Sequence, residues 1–176
     1  MSVQVHIGLG CNLGDREQQL LRAAEALGQI DAVGVVARSS LYDSAPVGPP
    51  QPRYLNAVME LVCDLLPARL LGILQHIERD LGRVSSERWG PRAMDLDLLL
   101  WGPDIICEPL LQIPHLGLHQ RRFVLEPLCE VSPGLRHPVL GILLEELLRA
   151  LPPQDVVKLQ SDHWPLLHPS GREEPS

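Results

Sequence analysis

The stretch YLNAVMELVC, residues 54–63, alternates so regularly that it limits what the rest of the chain can become. Successive side chains of an extended strand point to opposite faces. Leu55, Ala57, Met59, Leu61 and Cys63 therefore form one apolar set, and Tyr54, Asn56, Val58 and Glu60 form the other. A strand with one wholly apolar side calls for a covering layer there and leaves its other side for water or a ligand. Neighbouring segments supply the layer. Residues 3–9 alternate and predict a strand. Asn12 and Asp15 can cap a helix over about 15–27, stopped by Gly28, with Leu20, Leu21, Ala24 and Leu27 inward. Residues 32–42 predict a Val-rich strand and APVGPPQP, 45–52, a loop. Pro67 suits the first turn of a helix running to Leu81, and residues 94–101 predict a fourth strand. The order β-α-β-β-α-β is that of a ferredoxin-like α+β sandwich: an antiparallel sheet with helices on one face and the other open. Residues 103–120 predict irregular structure, and FVLEPLCEV and GILLEELLRAL predict additional C-terminal helices. Pattern is lost after Pro152, so a single domain is expected over 1–152 and a loosely structured tail over 153–176.

Composition narrows the function. One Phe, two Tyr and three Trp mean that a core drawn from 45% hydrophobic residues must be aliphatic. A net charge of −7 argues against a nucleic-acid partner, while clustered arginines (83, 88, 92, 121 and 122) still suit a phosphate ligand. Cys11, Cys63, Cys107 and Cys129 are scattered and suggest neither a disulfide framework nor a zinc site. With no leader pattern and no apolar run near the roughly 20 residues that span a bilayer, no membrane role is expected and the cytoplasm is the expected compartment.

The chemistry concentrates in RWGPRAMDLDLLLWG, residues 88–102. Period two puts Asp95, Asp97 and Leu99 on one side of the strand and Leu96, Leu98 and Leu100 on the other. Two like charges side by side repel, and a hard divalent cation such as Mg²⁺, which takes oxygen ligands and substrate phosphates, removes the conflict. Two solvated acids at a strand edge are the plain alternative. Arg92 suits bidentate phosphate contact. Trp89 suits either a stacking lid or partial core burial. Glu78 falls inside the apolar stripe Leu70, Leu71, Leu74, Ile77 and Leu81, where a carboxylate needs a partner. It either meets a ligand or an arginine such as Arg83, or snorkels at the stripe's edge; Gln75 lies one turn earlier. IPHLGLHQRRFVL carries His115, Arg121, Arg122 and Phe123. His115 is either structural or a phosphate donor; Phe123 and Tyr54 suit core packing by default. The glycines of GLGCNLG match neither the dinucleotide fingerprint nor the Walker loop, so side chains and metal must hold any nucleotide phosphates.

The ordered set GLGCNLGDR, SSLYDSAPVG, QPRYLNAV, IERDLGR, ERWGPRAMDLDLLLWG and PHLGLHQRRFVLEPL resembles the 6-hydroxymethyl-7,8-dihydropterin pyrophosphokinase family. The resemblance implies transfer of pyrophosphate from the co-substrate ATP to the hydroxymethyl group of 6-hydroxymethyl-7,8-dihydropterin, releasing AMP, in folate biosynthesis. It implies that Asp95 and Asp97 bind two Mg²⁺ ions and that Arg83, Trp89 and Arg92 belong to a mobile lid. His115 and Arg121 would contact the triphosphate, and Gln75 and Glu78 would line the nucleotide pocket. Tyr54 and Phe123 would sandwich the pterin, Asn56 would bond its amide edge, and Ser44, Ala45 and Val47 would shape its wall. No covalent enzyme intermediate and a monomer are expected. Cys11 stands where the family has serine, VSSE after Arg83 is short, Leu116 and Gly117 replace bulkier residues, and Arg122 is an added charge. Two rival readings, a D-x-D sugar-nucleotide transferase and a non-catalytic sensor module, fit less well. The first needs a doubly wound fold, and the second has no use for both a metal pair and an arginine cluster.

Overall fold

A computed structural model of the chain describes residues 1–82 and 93–168. The elements run β1 (Val3–Cys11), α1 (Arg16–Gly28), β2 (Val33–Arg38), β3 (Leu41–Ser44), β4 (Tyr54–Cys63), α2 (Pro67–Asp80), β5 (Asp95–Trp101), β6 (Ile106–Glu108), β7 (Leu111–Ile113), α3 (Arg122–Val131), α4 (Leu144–Ala150) and β8 (Val156–Leu159). A six-stranded sheet has the order β5-β1-β4-β3-β8, with β2 also paired to β4. Every pairing in it is antiparallel. This is the ferredoxin-like α+β arrangement read from the element order, with β6 and β7 forming a small separate hairpin in a region expected to be irregular.

One face of the sheet is a helix-covered core. The apolar set of β4 (Leu55, Ala57, Met59, Leu61, Cys63) packs with Val5, Ile7, Leu9 and Cys11 of β1 against Leu20, Ala24 and Leu27 of α1 and Leu70 and Leu74 of α2. Asp15 caps α1, accepting from the Gln18 N–H at 3.1 Å, and Pro67 opens α2. Pro costs nothing there because the first N–H groups of a helix have no internal partner.

The other face is only half open. Val58, Leu99 and Leu100 pack under Val124, Leu125, Leu128 and Val131 of α3 and Leu144 of α4, forming a second, smaller core. The expected alternation of β5 fails here. The register between β1 and β5 shifts between His6 and Ile7, pairing His6 with Leu100 and Ile7 with Leu98 and leaving Leu99 as the extra residue. Such a bulge turns consecutive side chains to one face. Leu100 therefore joins Leu99 in the second core, and Trp101 joins the first.

The expected strand over 32–42 is two pieces. It breaks at Ser39 and Ser40, where Ser39 Oγ accepts the Val58 N–H at 2.9 Å and Glu130 accepts both the Ser40 N–H and hydroxyl. The residues after Pro152, expected to be loose, fill this break as far as the structure describes them. β8 pairs with β3, Trp164 is buried with Nε1 donating to the Ser39 carbonyl at 2.7 Å, and Leu167 bridges Arg38. A four-residue strand carried by main-chain pairing and one tryptophan leaves little periodic signal.

Candidate active site

The floor of the site is built by strand register. In one row across the sheet Gly10 of β1 lies between Asp95 of β5 and Asn56 of β4; in the next, Gly8 lies between Asp97 and Val58. All six share the second face, with Val58 at the edge of the smaller core and the others beyond it. The glycines remove side chains that would fill the space between acid and amide. A Cβ on Gly10 would stand 3.0 Å from Asn56 Oδ1. The result is a cleft of about 370 Å³, within the range of small-ligand sites. From the sequence, Gly8 and Gly10 enter only as phosphate-loop glycines, not as part of a site floor. Their signal was the alternation of β1, in which Gln4, His6, Gly8 and Gly10 oppose Val5, Ile7, Leu9 and Cys11.

Tyr54, Phe123, Asn56, Ser44, Ala45 and Val47, expected to form the pterin subsite, all line this cleft. Asn56 is buried, and its Nδ2 donates to Ser44 Oγ at 2.8 Å and to the Tyr42 carbonyl at 3.3 Å. Both amide protons are thus used within the protein, leaving the carbonyl oxygen as the acceptor beside Gly10. The loop before Tyr54 is fixed by Asn12, whose Nδ2 donates to Gln51 Oε1 and the Pro52 carbonyl, each at 2.9 Å. Its neighbour Cys11 is core: burial pushes its thiol up to about 12, and Sγ donates to the Arg16 carbonyl at 3.3 Å.

Asp95, Asp97, His115 and Arg121 line the same cleft. The His115 N–H donates to the Leu99 carbonyl at 3.0 Å, and its Nδ1 accepts from the Gly117 N–H at 3.2 Å. An acceptor Nδ1 places the ring proton of the neutral imidazole on Nε2, which stands 4.0 Å from Asp97 Oδ2. Gly117 has a second use: a Cβ there would lie 2.6 Å from Arg121 Nε. Its lack of a side chain gives the Arg121 guanidinium its course past Phe123, whose ring centroid is 5.9 Å away. Arg122 is committed elsewhere, to Glu126 and to the carbonyls of Leu148 and Leu151. Of the two arginines, Arg121 faces the cleft.

The donor set suits a hard cation whose coordination is completed from outside. Two carboxylates share one face, and the Asp97 side chain is 48% exposed. Among the described residues no group of three or more His, Cys, Asp or Glu side chains is placed to hold a metal. Mg²⁺, which keeps waters and takes substrate phosphates, needs no such cage.

Gln75 and Glu78 do not line this cleft. Gln75 is exposed on α2. Glu78 is buried at 5% exposure, and its Oε1 accepts the Leu96 N–H at 2.8 Å. β5 is the sheet's edge strand, so this carboxylate pins the backbone between Asp95 and Asp97 from outside the sheet. Arg83, Trp89 and Arg92 lie outside the described residues.

A family model described as 7,8-dihydro-6-hydroxymethylpterin-pyrophosphokinase (HPPK) matches residues 6–133. A 2-amino-4-hydroxy-6-hydroxymethyldihydropteridine pyrophosphokinase of Pseudomonas aeruginosa is 42% identical over 160 residues, covering 90% of this chain and 98% of that protein. One of Haemophilus influenzae is 41% identical over 158 residues, covering 89% and 98%. The folic acid synthesis protein fol1 of Schizosaccharomyces pombe is 38% identical over 152 residues, covering 86% of this chain and 21% of its own length. Among solved structures, wild-type HPPK-DHPS of Plasmodium falciparum with pteroate superposes with a TM-score of 0.66 at 14% identity, over 85% of this chain and 44% of that one. At that identity the likeness speaks for the fold.

Proposed function

The chain belongs to the 7,8-dihydro-6-hydroxymethylpterin pyrophosphokinase family of transferases, and we propose that it moves the β,γ-diphosphate of ATP onto the hydroxymethyl oxygen of 6-hydroxymethyl-7,8-dihydropterin. The new bond joins that oxygen to the β-phosphorus. The bond from the β-phosphorus to the oxygen shared with the α-phosphate breaks, and AMP leaves. The products are the pterin diphosphate and AMP, and the reaction belongs to folate biosynthesis. The observation that carries this reading is the presence, in one cleft, of a same-face carboxylate pair together with Tyr54, Phe123 and the Asn56 amide.

Phosphoryl transfer asks a protein for alignment and charge compensation rather than covalent help, so no enzyme-bound intermediate is invoked. Asp95 and Asp97 would hold two Mg²⁺ ions, which supply charge neutralisation at the phosphates. The His115 Nε2–H and the Arg121 guanidinium donate to phosphate oxygens; Arg83, Arg92 and Trp89 keep the lid role that the resemblance implies. Asn56 Oδ1 accepts an N–H from the pterin's amide edge while Tyr54 and Phe123 hold its faces. Stacking is worth roughly 0.5–1.5 kcal/mol per pair beyond burial, so the edge contacts decide which ring is accepted.

No helix among the described residues is long and apolar enough to cross a membrane. The four cysteines are free thiols, as suits the cytoplasm proposed for the chain. The test is the nucleotide product: AMP is expected from ATP only when Mg²⁺ and the hydroxymethyl pterin are both present. ADP, or no turnover, overturns the assignment. Phe123→Ala is expected to weaken pterin binding about tenfold or more, from lost burial and stacking, with ATP affinity little changed; equal losses would make Phe123 packing only.

A further inference from the structure

The walls of the cleft come from distant parts of the chain. Ala45 follows β3 and Tyr54 opens β4, while Arg121 and Phe123 sit at the start of α3. A flat ring held between Tyr54 and Phe123 needs their separation fixed, because opening a contact by about 0.5–1 Å forfeits roughly a quarter to a half of its attraction.

Two consecutive residues beyond α4 reach both walls. The Gln154 side chain accepts the Arg122 N–H at 2.9 Å and donates through Nε2 to the Gln120 carbonyl at 3.0 Å. One amide thereby brackets Arg121, two residues before Phe123. Asp155 reaches the other way. Its carboxylate takes Arg53 Nη1 at 2.6 Å and Nη2 at 2.9 Å, and its carbonyl accepts the Ala45 N–H at 3.0 Å. Arg53 directly precedes Tyr54, and its Nε also donates to Asp43 of β3, which Arg16 of α1 holds at 3.0 Å. Beyond Asp155, β8 pairs with β3 and Trp164 is sunk beside Ser39, so the segment is anchored on its far side.

We propose that Gln154 and Asp155 form a brace that sets the gap between the Tyr54 wall and the Phe123 wall, and so act as positioning residues for the flat heterocycle. The inference rests on the reading of the cleft given above. Stability alone is a poor reason for these contacts. Arg53 and Asp155 are exposed, and exposed ion pairs contribute little to folding. Through adjacent positions the two residues join both walls.

The experiment compares the full-length chain with Gln154→Ala, Asp155→Ala, the double variant and Asp155→Glu. It measures pterin binding in the presence of Mg²⁺ and a non-hydrolysable ATP analogue, KM for each substrate, and the thermal midpoint. The double variant is expected to raise pterin Kd and KM about 5–20-fold, a fraction of what an ångström of misplacement costs a reacting geometry. ATP KM should stay within about twofold and the midpoint within about 3 °C, as for a sub-kcal change. Asp155→Glu is expected to recover most of the loss. The brace is overturned if the folded double variant binds pterin like wild type, or loses ATP and pterin affinity equally. Should the double variant fail to fold, the single variants are judged by the same two criteria. Wild type that binds no pterin overturns the reading of the cleft itself; wild type that binds while the variants match it overturns the brace alone.

Discussion

Glu60 and Asp97 point from the same face of the sheet, on strands separated only by β1, and their surroundings are opposite. Glu60 is 4% exposed and lies under α3. Gln4 Nε2 donates to it at 2.8 Å, the Ser132 hydroxyl donates to its other oxygen, and His6 bonds Ser132 at 2.7 Å. Asp97 is half exposed, faces a glycine row, and has His115 Nε2 at 4.0 Å. One half of the face is a closed polar cluster; the other is a cleft. What separates them is small: the β1 residue is His6 in one row and Gly8 in the next, and the bulge at Leu99 turns two leucines up to meet α3 where the aspartates end. A carboxylate satisfied by its own chain contributes to folding. A half-exposed one on a cleared floor can take a cation.

The contrast is broken most directly at Asp97. Asp97→Ala is expected to lower kcat at least about 10³-fold, near 4 kcal/mol at roughly 1.4 kcal/mol per decade, with the unfolding midpoint unchanged. Retained turnover at raised Mg²⁺ would show that the pair is not a metal site. One residue on, Leu98→Ala should do the reverse. Leu98 points into the first core at 4% exposure, so its truncation should cost about 2–5 kcal/mol of stability, read by urea unfolding. The catalytic rate of the folded fraction should change far less than in Asp97→Ala. If both variants lose activity and stability together, the two faces of β5 are not independent.

How much of this was legible before the structure follows from the same alternation. The apolar set of β4, the shared side of Asp95 and Asp97, and the burial of Glu78 within the α2 stripe all follow from counting by two or by 3.6. The face of Leu100 did not, because a bulge is one extra residue in a ladder and a uniform period cannot show it. Gly8 and Gly10 were tested against phosphate-loop spacings, whereas their part is to be absent side chains in a strand. Glu78 shows a further limit. Its need for a partner was readable, but the partner is a backbone N–H of an edge strand, which no residue type announces. The same holds for much of the segment after Pro152, whose contacts run through main chain and, besides Trp164, through side chains of ordinary surface type such as Gln154 and Asp155.

On the closed half of the face the expected effect is moderate and depends on pH. Burial alone would raise the Glu60 carboxyl, but His6 Nε2 at 3.6 Å and the hydrogen bonds from Ser132 and Gln4 outweigh it and hold it down at about 2, against an ordinary value of 4.5. The unfolded chain then binds the extra proton between those two values, so this group's contribution is complete above about pH 4.5 and is lost as pH falls towards 2. Glu60→Gln is expected to cost about 2 kcal/mol at pH 7, the scale of hydrogen bonds to a charged group. The gap between variant and wild type should close on acidification to pH 2. A gap that stays constant down to pH 2 would mean that Glu60 is not held as a carboxylate.

The smallest effect sharpens the comparison most, because it asks whether a cleared floor matters by itself. Gly10→Ala adds one methyl on the open half, 3.0 Å from Asn56 Oδ1, closer than such atoms rest without a shift of a few tenths of an ångström. The Asn56 amide is held from behind by Ser44 and the Tyr42 carbonyl, so it has little room to yield and must tilt its acceptor away from the ring proposed to meet it. We expect pterin Kd to rise about 3–10-fold, at most about 1.4 kcal/mol, with ATP affinity and the unfolding midpoint nearly unchanged. Unchanged pterin affinity would mean that the Asn56 carbonyl is not the edge reader. A comparable loss for ATP would mean that the methyl disturbs Asp95 across the row, and that the glycines serve the carboxylates rather than the heterocycle.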